Sequence, residues 1–142
     1  MRVFLDANIL FSAAKSDGAI RQLLRHLTLA KHTLVADSYV QAEAQRNIAA
    51  KAGAQAMRDL DALLSKVDIS AVQFTHSSPA LQAAALWLPE KVRSVLLAAM
   101  VLACDELVTG DSTYFGPGYG ERFEGVTVCL PRQLAEIVYR QL

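Results

Sequence analysis

Four short apolar runs, each handing over to a polar residue or turn and then to a helical pattern, constrain this chain more than any other feature. RVFL (Arg2 to Leu5) and TLVA (Thr33 to Ala36) are rich in β-formers and are followed by Asp6 and Asp37. ELVT (Glu106 to Thr109) precedes GDSTYFG, and VTVCL (Val126 to Leu130) precedes PRQLAEIVYRQL. Between them lie Ala- and Leu-rich stretches of helical propensity, namely IRQLLRHLTLA, SYVQAEAQRNIAAKA, AQAMRDLDALLSKV and EKVRSVLLAAMVLA. Alternating strands and helices predict an α/β fold: a three-layer α/β/α sandwich around a mainly parallel sheet of four or five strands with right-handed crossovers. DIS or VQF, within Asp68 to Phe74, is the candidate for a further strand.

Local signals mark the boundaries. Ser38 and Gln41 have the spacing of a capping box, and Pro89 and Pro131 each suit the first turn of a helix. Ile20, Leu23, Leu24 and Leu27 share one helical face. With 142 residues, 53% of them hydrophobic, and no repeat or linker, the chain is read as one domain over residues 1–142.

Fourteen basic and fourteen acidic side chains cancel, so charge neither predicts nor excludes a polyanionic partner. Cys104 and Cys129 lie in apolar surroundings and read as free buried thiols of a reducing, cytoplasmic protein. No membrane partner is expected: VLLAAMVLAC is too short to span a bilayer, and Asp6 and Asn8 interrupt what would be a signal-peptide core. His26, His32 and His76 lack ligand spacing, which argues against zinc. The absence of GxSxG, Walker and GxGxxG motifs removes the main supports for acyl transfer, P-loop and dinucleotide chemistry.

In a sheet of this kind ligands bind at the carboxyl ends of the strands, near a switch in strand order. Asp6 follows the first strand, and Asp111 follows the fourth through the T-G-D turn. Glu43 lies on the helix after the second strand, one turn from Tyr39 and Asn47, and can look back toward Asp6. Singly, each Asp also suits a helix cap or turn, and Glu43 a solvated helix surface. Together they would repel one another unless a cation joined them, and hard oxygen ligands suit Mg²⁺ or Mn²⁺. Such an ion would orient a water for in-line attack on a phosphodiester. Asp105 precedes its strand and belongs to the opposite edge. Asp37 ends the second strand at the correct edge but also suits a turn before Ser38, whereas Asp59, Asp61 and Asp68 read as surface charges.

With FLDANIL, SYVQAE and LVTGDSTYFG in this order, the sequence resembles the PIN-domain family, metal-dependent ribonucleases that include VapC-like toxins. The resemblance spans nearly the whole chain. It implies a PIN-like fold, Mg²⁺ or Mn²⁺ as cofactor, RNA as substrate and an antitoxin protein as partner. It assigns metal-binding and catalytic roles to Asp6, Glu43 and Asp111, with Asn8 and Thr109 as supporting polar groups. A homodimer is also common in the family, and the IRQLLRHL helix suits it or core packing equally well.

One departure matters. Where many PIN domains carry a further Asp before the alanine-rich helix, this chain has Val92. Glu90, about 200° away around a helix, would serve as a ligand only if the first turn were unwound or offset. Arg46, Lys91 and Arg93 lie near the expected edge as RNA-phosphate contacts. Tyr114, soon after T-G-D, suits stacking on a base or packing under the loop, and FGPGYGERFEG reads as a flexible loop beside the site. The leading expectation is a metal-dependent endoribonuclease, and the alternative is a degenerate domain that binds RNA or protein without cleaving. A haloacid-dehalogenase-type phosphatase ranks third, because the second Asp it needs is Asn8 here.

Overall fold

The computed structural model describes residues 1–73 and 77–140. Strands β1 (Arg2–Leu5), β2 (Thr33–Asp37), β3 (Asp68–Ser70), β4 (Glu106–Val108), β5 (Arg122–Phe123) and β6 (Val126–Cys129) form one sheet in the order β3-β2-β1-β4-β6-β5. Every pairing is parallel except the β5–β6 edge. Among the described residues the helices are α1 (Ala7–Lys15), α2 (Ala19–Leu29), α3 (Ser38–Lys51), α4 (Gly53–Leu64), α5 (Pro79–Ala84), α6 (Glu90–Val101), α7 (Ser112–Phe115) and α8 (Pro131–Tyr139). The result is the expected α/β/α arrangement, with six strands rather than four or five. DIS forms β3; Val72 and Gln73 are outside any strand, and Phe74, like His76, lies outside the described residues.

Burial explains why the strands read as apolar runs. Val3, Phe4 and Leu5 of β1 and Leu107 and Val108 of β4 are buried, as expected of central parallel strands covered on both faces. Helices α1, α3 and α4 pack together, and α2 packs on α1, β2 and α8. Leu23, Leu24 and Leu27 of α2 are buried within the monomer. Cys104 and Cys129 are free and buried, and burial pushes the Cys104 thiol up to about 11.

Three local expectations need correction. The cap of α3 is Asp37 rather than Ser38: its Oδ1 accepts from the Val40 N–H at 2.8 Å, one residue earlier than the Ser38–Gln41 box. Pro89 is the N-cap of α6, not its first helical residue, whereas Pro131 does occupy the first turn of α8. FGPGYGERFEG is not a featureless loop. It holds α7 residue Phe115, a 3₁₀ turn at Gly116–Gly118 and strand β5, which returns to β6 through Glu124 (φ 48°) and Gly125 (φ 90°). Two positive φ angles between Phe123 and Val126 give the two-residue hairpin whose twist matches paired strands. Its Gly118 lies against Trp87, where a Cβ would come within 2.4 Å of the indole. That ring also stacks on Phe123 at 4.8 Å.

The chain winds outward from β1 through β2 to β3, then crosses back to β4 on the other side of β1. The switch point therefore lies between β1 and β4, and Asp6 and Thr109 leave the carboxyl ends of those two strands.

Candidate active site

Asp6 is the centre of a hydrogen-bond network that joins the ends of β1 and β4. Its backbone N–H donates to the Val108 carbonyl at 3.1 Å, continuing the ladder, and its side chain then caps α1. Oδ1 accepts from the Ala7 N–H at 2.8 Å; Oδ2 accepts from the Thr109 hydroxyl at 2.7 Å and the Asn8 amide at 3.1 Å. Asn8 Oδ1 accepts from the Gly110 N–H at 2.8 Å, and Thr109 Oγ1 accepts from the Asp111 N–H at 3.1 Å. Asn8 and Thr109 thus support Asp6 and shape the T-G-D turn together.

Asp6 is only 6% exposed and has no ion-pair partner among the described residues. Burial raises its pKa and the nearby Asp111 charge adds to this, while hydrogen bonds from Thr109, Ala7 and Asn8 oppose it. Glu43, half-buried on α3, makes no hydrogen bond or salt bridge among the described residues. Burial and then the charges of Asp6 and Asp37 raise its pKa against the pull of Arg46. Asp111 caps α7, its Oδ1 accepting from the Tyr114 N–H at 3.1 Å.

Asp6, Glu43 and Asp111 line one cleft of about 140 Å³, together with Asn8, Tyr39, Asn47, Lys91 and Val92. Tyr39 and Asn47 stand four residues either side of Glu43, so one face of α3 supplies all three. The 3.6-residue period of that helix was the signal that could have included them. The carboxylates share the cleft without forming a closed ligand shell: among the described residues, no three Asp, Glu, His or Cys side chains are grouped closely enough to hold an ion.

The remaining sequence candidates separate. Helix α6 begins regularly at Glu90, with the Val92 and Arg93 N–H groups donating to the Pro89 carbonyl at 3.1 and 3.0 Å. That intact turn puts Val92 in the cleft lining and leaves Glu90 exposed and outside it. Arg93 does not face the cleft, because its guanidinium donates to the Ala85 and Leu88 carbonyls. Arg46 is exposed and does not line the cleft, yet its charge reaches Glu43. Lys91 lines the cleft, with Nζ 4.4 Å from the centroid of the Tyr114 ring, a contact worth about 0.5–1 kcal/mol at an exposed site. Tyr114 therefore packs against Lys91. Asp105, at the opposite edge as expected, accepts from the Arg2 N–H at 2.8 Å. Asp59 is not a simple surface charge, since it pairs with Arg21 at 3.3 Å.

A larger cavity of about 230 Å³ lies between α2 and α4, lined by Leu24, Leu29, Leu63, Arg21, Arg25 and Lys66. Its one carboxylate, Asp59, is paired with Arg21, so the acidic chemistry belongs to the smaller cleft.

The fold has structural counterparts. No family model matches the chain, and no curated protein matches it in sequence. Solved structures do share its fold. VapBC2 from Rickettsia felis, bound to a DNA fragment from the promoter, matches with a TM-score of 0.61 and 21% identity over 92% of this chain and 98% of that one. Mycobacterium tuberculosis VapC20, described as a Sarcin-Ricin loop cleaving toxin, matches with a TM-score of 0.53 and 11% identity over 84% and 98%. The chain has the PIN-like fold of VapC toxins. Among the described residues, no helix is long and apolar enough to cross a membrane.

Proposed function

We propose that this protein is a divalent-metal-dependent endoribonuclease, the toxin of a toxin–antitoxin pair. The observation that carries the proposal is a cleft at the strand-order switch lined by Asp6, Glu43 and Asp111, with Asp6 buried and lacking a cationic partner among the described residues. Oxygen donors of this kind fit Mg²⁺ or Mn²⁺. Among the described residues Glu43 and Asp111 Oδ2 are not committed to hydrogen bonds, and the repulsion of Asp6 with Asp111 and with Glu43 favours a cation in the cleft. A bound ion would supply Lewis-acid polarisation of a phosphate and an acidified water.

The chain's own residues do the rest. Asn8 and Thr109 hold Asp6 Oδ2 in place, and the Asp111 carboxylate is oriented by the cap of α7. Asn47 and Tyr39 present polar groups to an RNA strand in the cleft. Fold-sharing with a toxin described as cleaving the Sarcin-Ricin loop supports RNA as substrate, and fold-sharing with the VapBC2 assembly supports an antitoxin partner. The buried free thiols fit a cytoplasmic setting. A homodimer would need a surface other than the Leu23, Leu24 and Leu27 face, which core packing consumes.

A second reading, a PIN-like module that binds RNA without cleaving it, draws on Val92 in the cleft lining where the family resemblance calls for a carboxylate. Incubating wild type and Asp6→Asn with single-stranded RNA in Mn²⁺, Mg²⁺ or chelator separates the two. Metal-dependent cleavage by wild type alone supports the nuclease. RNA binding that survives chelation without cleavage supports the binding module.

A further inference from the structure

Of the chain's four tyrosines, three have partners within the fold. Tyr114 lies 4.4 Å from the Lys91 ammonium, the Tyr119 hydroxyl donates to the Thr109 carbonyl at 3.3 Å, and Tyr139 meets the His26 ring edge-on at 4.7 Å. Tyr39 makes no ring contact or side-chain hydrogen bond among the described residues and is 51% exposed. It nonetheless lines the acidic cleft, four residues before Glu43, and Asn47 lines it four residues after. The Asn47 amide is equally uncommitted among the described residues, whereas Asn8, the other amide of the cleft, is spent on Asp6, Thr109 and the Gly110 N–H. Tyr39 and Asn47 are about two helical turns apart, roughly 12 Å along α3, so they meet different nucleotides of a strand rather than one base. The cleft therefore offers an open ring face on one side of Glu43 and a free donor and acceptor on the other.

We infer that α3 sets the register of a single RNA strand: the Tyr39 ring stacks on one base, and the Asn47 amide reads the edge of another base beyond Glu43. This inference rests on RNA as the ligand of the cleft, as proposed above, and requires no bound ion. Every base has a π face, so the stack tolerates any sequence. An amide that sets a donor beside an acceptor matches the amino group and ring nitrogen of adenine, so Asn47 adds a preference for that base. Both contacts need bases free of a helical stack, which a single strand supplies and an A-form duplex does not. From α6, the Lys91 ammonium has no carboxylate partner among the described residues and is available to a phosphate of the same strand.

The test is RNA binding in chelator at low salt, followed by fluorescence anisotropy of labelled oligo(A), oligo(C), oligo(U) and an RNA duplex of the same length. Wild type is compared with Tyr39→Ala, Tyr39→Leu, Tyr39→Phe and Asn47→Ala, and with Tyr139→Ala as a tyrosine removed outside the cleft. Wild type should bind the single strands more tightly than the duplex, and oligo(A) most tightly. Tyr39→Ala and Tyr39→Leu should lose about 5- to 150-fold on every single strand, whereas Tyr39→Phe, which keeps the ring, stays within a few-fold of wild type. Asn47→Ala should bring oligo(A) down to the level of the other two, and Tyr139→Ala should match wild type. Equal binding of duplex and single strand, no binding of any single strand, Tyr39→Leu as tight as wild type, or a Tyr139→Ala loss as large as that of Tyr39→Ala would overturn the proposal. An oligo(A) preference that survives Asn47→Ala overturns the base-reading half of it. Cleavage of a mixed single-stranded RNA in Mn²⁺ separates this from the nuclease reading. If wild type cleaves but Tyr39→Leu binds and cleaves equally well, the register on α3 falls and the nuclease stands; if binding depends on the Tyr39 ring but wild type cleaves nothing, the nuclease falls and the register stands.

Discussion

Two buried carboxylates sit at opposite ends of the same central strands and behave differently. Asp6, beyond the carboxyl end of β1, has both oxygens engaged by three donors and opens onto a cleft shared with Glu43 and Asp111. Glu106, at the amino end of β4, is 9% exposed; its Oε2 is buried with no hydrogen-bond partner among the described residues, and the side chain that eases its ionisation by hydrogen bonding is the Cys129 thiol. Burial raises the pKa of both. A perturbed carboxylate therefore does not by itself mark a site. What sets Asp6 apart is a built donor network and a cavity into which other acidic groups project.

Replacing the two carboxylates breaks the comparison most sharply. Asp6→Asn is expected to lower RNA cleavage by at least about 100-fold, whereas Glu106→Gln leaves the cleavage rate essentially unchanged; initial rates on one fluorogenic RNA compare them directly. Next in size is Thr109→Val, which removes the hydroxyl that donates to Asp6 and accepts from the Asp111 N–H. Leaving those buried groups short of a partner should cost about 1–3 kcal/mol, read as a lower urea midpoint, and should reduce cleavage as well.

The pH dependence of stability then separates the carboxylates. Each has a folded-state pKa above its unfolded value, so its stabilising contribution is complete below the ordinary carboxylate pKa and is lost as pH rises through the raised one. In chelator, urea midpoints should fall as pH rises across that interval, and Glu106→Gln should flatten part of the slope. Adding Mn²⁺ should cancel the part due to Asp6 and leave the Glu106 part untouched. Metal stabilisation that does not grow with pH would count against Asp6 as a ligand. The smallest expected effect is that of Glu90→Gln. Exposed and outside the cleft, it should change Mn²⁺ affinity and urea midpoint by no more than about 0.5 kcal/mol in free energy.

How far these features were legible depends on how much chain each one occupies. Strands β1, β2, β4 and β6 were readable because central parallel strands are apolar on both faces and end at polar residues. Strand β5 was not, because two residues show no periodicity; the Glu124–Gly125 turn was its available signal. Short α5, without a buried residue, offered no apolar stripe. Asp6 and Asp111 could be brought to one edge from their strand-end positions and Glu43 from its place on the helix after β2, and the structure finds all three lining one cleft. Arg93 was misread because charge near an edge does not reveal which carbonyls a guanidinium will reach. Glu106 passed unnoticed, since a Glu at the start of a strand is unremarkable until both faces of the sheet are covered.

The order of strands has a practical reach. Half of the sheet, β3-β2-β1, comes from the first 70 residues, and the other half, β4-β6-β5, from residues 106–129. Cutting the chain between Ser70 and Pro79 would leave Asp6 and Glu43 on one fragment and Lys91 and Asp111 on the other, with the β1–β4 ladder as the seam. Neither fragment alone would contain the complete acidic cleft. On the nuclease reading proposed above, co-expressed halves brought together by fused binding partners are expected to form a conditional ribonuclease whose output reports their association.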